Sequence, residues 1–96
     1  NLANNRIQTE QIFDYKGDQK AILAGDFNAQ PTDPPIQLIR DTGDFTASYE
    51  GHTYPSHQAS QKIDFIFAPS AWKLIRHRTI QTDASDHLPI VSHYAP

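Results

Sequence analysis

The chain has 96 residues, a net charge of −3, and 38% hydrophobic against 20% charged residues, which fits one globular domain at most and excludes wholesale disorder. No apolar run approaches the ~20 residues a membrane span needs, and the absence of cysteine removes disulfides and thiolate metal sites. Eleven acidic against eight basic side chains argue against non-specific nucleic-acid binding through a basic surface.

Methionine is absent as well, and the opening Asn1-Leu2-Ala3-Asn4-Asn5 has neither the charged nor the apolar region of a signal peptide. The expectation is therefore a piece of a longer chain. Residues 3 to 16 read as a helix, with Ala3, Ile7, Ile12 and Phe13 on one stripe and Gly17-Asp18 to end it. Ala21-Ile22-Leu23-Ala24 is a short unbroken apolar run before Gly25, the pattern of a strand covered on both faces, with Phe27 extending it. Asp33 stands before Pro34-Pro35 as an N-cap, because proline denies the preceding residue helical torsions and suits the first helical position. Ile36, Leu38 and Ile39 give this short helix its apolar side, and Gly43 is placed to end it.

Strands follow. Phe45 to Tyr49 is one, Glu50-Gly51 a turn, and the polar stretch from His52 to Gln61 a loop around Pro55. Ile63 to Phe67 is a strand with apolar residues on both faces. Pro69-Ser70 breaks it, and further strands are expected over Trp72 to Ile80 and Leu88 to Tyr94. Two helices cannot cover both faces of so many strands, so missing sequence or a partner chain is expected to supply the rest.

Three polar clusters lie at strand ends. In Gly25-Asp26-Phe27-Asn28, alternation would project Asp26 and Asn28 together while Phe27 enters the core. A carboxylate beside a carboxamide can orient a water and hydrogen-bond an oxyanion. In Lys62-Ile63-Asp64-Phe65-Ile66-Phe67, one aspartate lies within an apolar strand, and a buried carboxylate needs a donor. Ala84-Ser85-Asp86-His87-Leu88-Pro89 supplies a candidate, since His87 bonded to Asp64 would be fixed in one tautomer and held towards its charged form. Taken singly, each cluster reads most simply as a turn residue or a cap.

The ordered set resembles the endonuclease/exonuclease/phosphatase superfamily, the group with the deoxyribonuclease-like fold. Its later motifs are a Gly-Asp-Phe-Asn strand end, an Ile-Asp-aromatic-Ile strand and a Ser-Asp-His-x-Pro turn, which stand here as Gly25 to Asn28, Ile63 to Ile66 and Ser85 to Pro89. Thr53-Tyr54-Pro55 is similar to members of the family too. The resemblance implies that residues 1–96 are the C-terminal part of one four-layer α/β/β/α sandwich. It also implies hydrolysis of a phosphate ester assisted by Mg2+ or Mn2+, with Asp26 orienting or deprotonating the attacking water. Asn28 would position that water and the phosphoryl oxygens, His87 would contact a non-bridging oxygen and Asp64 would hold His87. Asp86, with Asp26, would lie nearest the cation. Tyr54 and His57, in the loop between two motif strands, are candidates for substrate contact. A carboxylate-rich site repels phosphate unless a cation intervenes, so the charges point to metal dependence independently.

The family's earlier asparagine and metal-binding glutamate motifs are not recognisable. The glutamates here, Glu10 and Glu50, have other surroundings. The expectation is half of a site, catalytically incomplete alone, acting on a nucleic acid, a phospholipid headgroup or a sugar phosphate. The alternatives are a non-catalytic binding module and a half-domain completed by a partner chain. The histidines at 52, 57, 77, 87 and 93 form no helical zinc pair, and no serine-hydrolase elbow is present. Lys73, Arg76, His77 and Arg78, beside Trp72, read as a solvated strand face, with contact to substrate phosphates as the sharper reading.

Overall fold

The computed structural model describes residues 20–96; the helix expected over 3 to 16 lies outside them. The described elements are β1 (Leu23–Asp26), α1 (Pro34–Asp41), β2 (Phe45–Thr46), β3 (Asp64–Pro69), β4 (Lys73–Thr79) and β5 (Ile90–Ala95). β3 is the centre of a three-stranded sheet, antiparallel to β1 on one side and to β2 on the other, while β4 and β5 pair with each other. The expected mixed α/β class is borne out.

α1 begins where its sequence requires. Asp33 occupies the N-cap position in extended conformation, ahead of the two prolines. Its carboxylate does not cap the helix, however; it accepts the Gln30 backbone N–H at 2.7 Å and so closes the preceding turn instead. Pro35, Ile36 and Ile39 are buried, and Gly43, at φ +72°, turns the chain out of the helix.

That buried stripe meets the aromatic face of β3. Phe65 and Phe67 are fully buried among Ile36, Ile39, Ala47 and Phe45, and Phe27 packs edge-on against both at ring-centre separations of 5.9 and 5.3 Å. Offset and edge-on packing suits the ring quadrupoles. β1 differs from expectation. Leu23 and Phe27 pack on this core, but Ala24 is exposed and Ile22 is 53% exposed. α1 covers only one face of the sheet, so among the described residues the apolar run is a strand covered on one side. The strand expected to run to Tyr49 ends at Thr46, yet Ala47 remains buried and Tyr49 packs on the core.

The β4–β5 hairpin joins this unit through β5. The Tyr94 hydroxyl donates to the Ile66 carbonyl at 2.7 Å and lies 3.3 Å from the Thr46 carbonyl. Gly51, at φ +84°, sits so close to the end of β4 that a Cβ there would meet Thr79 Oγ1 at 2.8 Å. No helix among the described residues is long and apolar enough to cross a membrane.

Candidate active site

Register brings the first two clusters together. Asp26, the last residue of β1, is directly opposite Asp64, the first residue of β3. The Phe27 N–H donates to the Ile63 carbonyl at 2.9 Å, so by antiparallel alternation Asp26 and Asp64 form a non-hydrogen-bonded pair, the kind in which facing side chains approach most closely. Two carboxylates in that relation repel each other. A cation between them removes the conflict.

The His87 ring bridges the two carboxylates. Its Nδ1 bonds Asp64 Oδ2 at 2.8 Å, and its Nε2 lies 3.6 Å from Asp26 Oδ2. The His87 pKa is raised, chiefly by the hydrogen bond to Asp64; burial opposes this, and the charges of Asp64, Asp26 and Asp86 add to it. Nδ1–H is therefore the donor to Asp64. Side-chain exposure rises from 15% at Asp64 through 26% at His87 to 46% at Asp26. The carboxylate behind the imidazole is shielded, whereas the one before it faces solvent and can meet an incoming molecule.

The segment carrying His87 is held by the loop before β3. Leu88 N–H donates to the Thr53 carbonyl at 2.8 Å and Ser56 N–H to the Asp86 carbonyl at 2.8 Å. Thr53 is fully buried; its N–H donates to the Gln61 carbonyl at 2.7 Å, and its hydroxyl accepts the Ile63 N–H at 3.3 Å. One residue thus ties the loop, the start of β3 and the His87 segment together. Nothing in the sequence marked Thr53 for this beyond its place in the Thr53-Tyr54-Pro55 stretch.

The Tyr54 ring lies 4.8 Å from the His87 ring at 44°, so the residue expected to touch substrate packs on the imidazole. His57 is exposed on the same loop. Asn28 arrives by a different route from strand alternation. The strand ends at Asp26, Asn28 takes φ +49°, and its backbone N–H donates to Asp26 Oδ1 at 2.7 Å. This turn, characteristic of Asx residues, leaves Asp26 with one oxygen engaged by the backbone and the other towards His87.

Asp26, Asp64 and His87 offer ligand atoms within 4.8 Å of one another. His87 Nδ1 is engaged by Asp64, so the oxygen donors are what suit a cation here, and hard carboxylate oxygens fit Mg2+ or Mn2+. Asp86 is exposed and lies outside that group of three, near enough for its charge to act on His87. A cleft of about 230 Å³ opens beside His87, bounded by Gly25, Asp64, Ile66 and Leu88 among others. In the basic stretch, Lys73, Arg76 and Arg78 are exposed as expected of a solvated face. His77 is not: its Nδ1 bonds Ser92 Oγ at 2.7 Å, and its Nε2 is buried without a partner among the described residues.

No curated protein matches the sequence significantly. Solved structures match the fold. A conserved protein of unknown function from Enterococcus faecalis superposes with a TM-score of 0.84 at 19% identity, over 99% of this chain and 45% of its own. A mannosyl-6-phosphatase from Bacteroides thetaiotaomicron gives 0.75 at 20% identity, over 98% and 45%. An endonuclease/exonuclease/phosphatase family protein from the same organism gives 0.71 at 18% identity, over 97% and 42%. The chain thus spans less than half the length of each of these structures. The model of the Endonuclease/Exonuclease/phosphatase family matches residues 8–87. That span includes Asp26, Asp64 and His87, and by it this chain belongs to the Endonuclease/Exonuclease/phosphatase family, a superfamily of phosphoester hydrolases.

Proposed function

We propose that this chain carries the proton-handling and anion-contacting part of a metal-dependent phosphoesterase site and is catalytically incomplete alone. The observation that supports the reading is the clamp on His87, a ring bonded from behind to Asp64, which raises its pKa, and faced by the exposed carboxylate of Asp26. Phosphoryl transfer gains most from in-line positioning and from neutralising charge on the equatorial oxygens. Charged His87 presents Nε2–H to a non-bridging oxygen, and Asp64 keeps that proton in place by holding the other nitrogen. Asp26 orients the attacking water and accepts its proton. Asn28, held next to Asp26 by the turn, positions water and phosphoryl oxygens.

Asp26 and Asp86 are the residues that would hold Mg2+ or Mn2+. The cation would supply charge neutralisation at the phosphate. Two or three carboxylates on one side make a weak site by themselves, which is the basis for the incompleteness. Further ligands would come from sequence or from a partner chain corresponding to the part of the related structures that this chain does not span. Nucleic acid, phospholipid headgroup and sugar phosphate all present the anion this site addresses.

The test is release of nitrophenol from mono- and bis-nitrophenyl phosphates with Mg2+. A longer protein containing these residues should turn over, and Asp26→Ala should lower kcat by roughly two to four orders of magnitude, the scale of a lost general base. The isolated chain should show no Asp26-dependent turnover. Activity in the longer protein that survives Asp26→Ala would overturn the assignment, and tight phosphate-ester binding without turnover would favour a binding module.

A further inference from the structure

Two positions before Asp64 stands a lysine that solvent barely reaches: Lys62 is 3% exposed. A lysine ordinarily buries its stem and leaves its head in water. A buried ammonium therefore needs partners built for it. Lys62 Nζ donates to the backbone carbonyl oxygen of Asp64 and stands over the Phe65 ring, 4.8 Å from its centre. The neighbouring Asp64 carboxylate favours the charged form, although burial dominates and lowers the pKa to about 8. From β4, His77 faces the same interior, its own pKa lowered by burial first and by the Lys62 charge second.

The ladder explains why that carbonyl is available. Because Asp26 and Asp64 are a non-hydrogen-bonded pair, the Asp64 carbonyl points away from β1. On the other side of β3, β2 pairs only with Ala68 and Pro69, far along the strand from Asp64. No strand among the described residues reaches the carbonyl there, and the Lys62 ammonium takes the position a neighbouring N–H would otherwise occupy. The main chain of Asp64 is thereby fixed at a strand end, where β pairing holds it least.

We propose that Lys62 is a positioning residue: by holding the Asp64 carbonyl, it sets the angle at which the Asp64 carboxylate meets His87 Nδ1. The proposal rests on the Asp64–His87 pair described above and deepens the reading of it. Lys62 touches no substrate; it acts through Asp64.

The experiment is nuclear magnetic resonance on the 15N-labelled 96-residue chain. In the wild-type protein the Lys62 ammonium protons should exchange with water far more slowly than those of Lys20 and Lys73, which are exposed. The His87 Nδ1–H should give a downfield ring-proton signal. Lys62→Met keeps length and apolar packing while removing the charge and the donor to the Asp64 carbonyl. In that variant the His87 ring proton should exchange about tenfold faster, the scale of one lost charge-assisted contact, while the amide spectrum stays folded. An unchanged His87 proton in folded Lys62→Met overturns the proposal, as does a wild-type Lys62 ammonium exchanging like Lys20. Where the variant does not fold, the wild-type comparison decides alone. Neither measurement involves hydrolysis, so a failure of the functional reading would be seen separately, as absent turnover in the longer protein beside an ordered His87 proton in this chain.

Discussion

Phe65 and Phe67 on β3 are closed off from solvent, whereas every residue of β4 and β5 keeps some exposure. The sheet is held from one side by α1 and, among the described residues, a group of five aromatic rings, Phe27, Phe45, Tyr49, Phe65 and Phe67. The hairpin is held by a few directed polar contacts, among them Tyr94 to Ile66 and His77 to Ser92. Apolar packing is non-directional and tolerates small shifts, while a hydrogen bond fixes one distance and one angle. The candidate site is built on the seam between these two regions. The packed region contributes Asp26 and Asp64. The segment leading into β5 contributes His87, and its place is fixed by main-chain hydrogen bonds at Asp86 and Leu88 together with the burial of Leu88.

The largest effect is expected within the packed region. Phe67→Ala should cost about 3–5 kcal/mol in chemical denaturation, the range for truncating a buried phenylalanine, while Ile75→Ala on exposed β4 should stay within about 0.5 kcal/mol. Equal losses would dissolve the distinction between the two regions. A smaller effect is expected at the tie between them. Tyr94→Phe leaves the Ile66 carbonyl without this donor and should cost about 1–2 kcal/mol. It should also disturb the amide signals of β5 more than those of β1; a shift confined to β1 would contradict the tie.

The smallest effect in stability, and the most informative about the seam, concerns charge. Asp64→Asn should lower the His87 pKa more than Asp26→Asn does, because the hydrogen bond from Nδ1 is the first cause of the raised value; ring-proton shifts against pH give both. The sign for stability follows from linkage. Since the folded pKa is raised, the contribution of this pair is fully present below the ordinary imidazole value of about 6.5 and is lost as pH rises through the folded value. The stability difference between wild type and Asp64→Asn should therefore be larger at pH 6 than at pH 9. A difference that grows with pH would mean His87 is neutral in the folded protein.

Much of this was legible because it is local. Pro34-Pro35 and Ile36 fix the start and face of a helix whatever surrounds it, and an aspartate in the run Ile63 to Phe67 demands a donor whatever that donor is. The pairing of Asp64 with His87 could be inferred from chemistry alone, since a shielded carboxylate and an imidazole satisfy each other. Other features depend on contacts that no short stretch encodes. β1 reads as covered on both faces because Ala21 to Ala24 is apolar, but coverage is a property of what packs against it. Asn28 reads as a strand residue because alternation carries no sign of where pairing stops. The burial of Lys62 depends on what folds around it, with the Phe65 ring under its ammonium, and Tyr54 lies against His87 where Thr53 ties its loop to the segment that follows Asp86.

The face-to-face setting of Asp26 and Asp64 has a consequence for how the molecule can fail. Side chains on a strand change sides at every residue, so sliding β1 along β3 by a single step would carry one carboxylate to the helix side and leave its counterpart with the imidazole. The bond between His87 and Asp64, with Asp26 facing both, is thus a reporter of strand alignment that a ring-proton signal can follow.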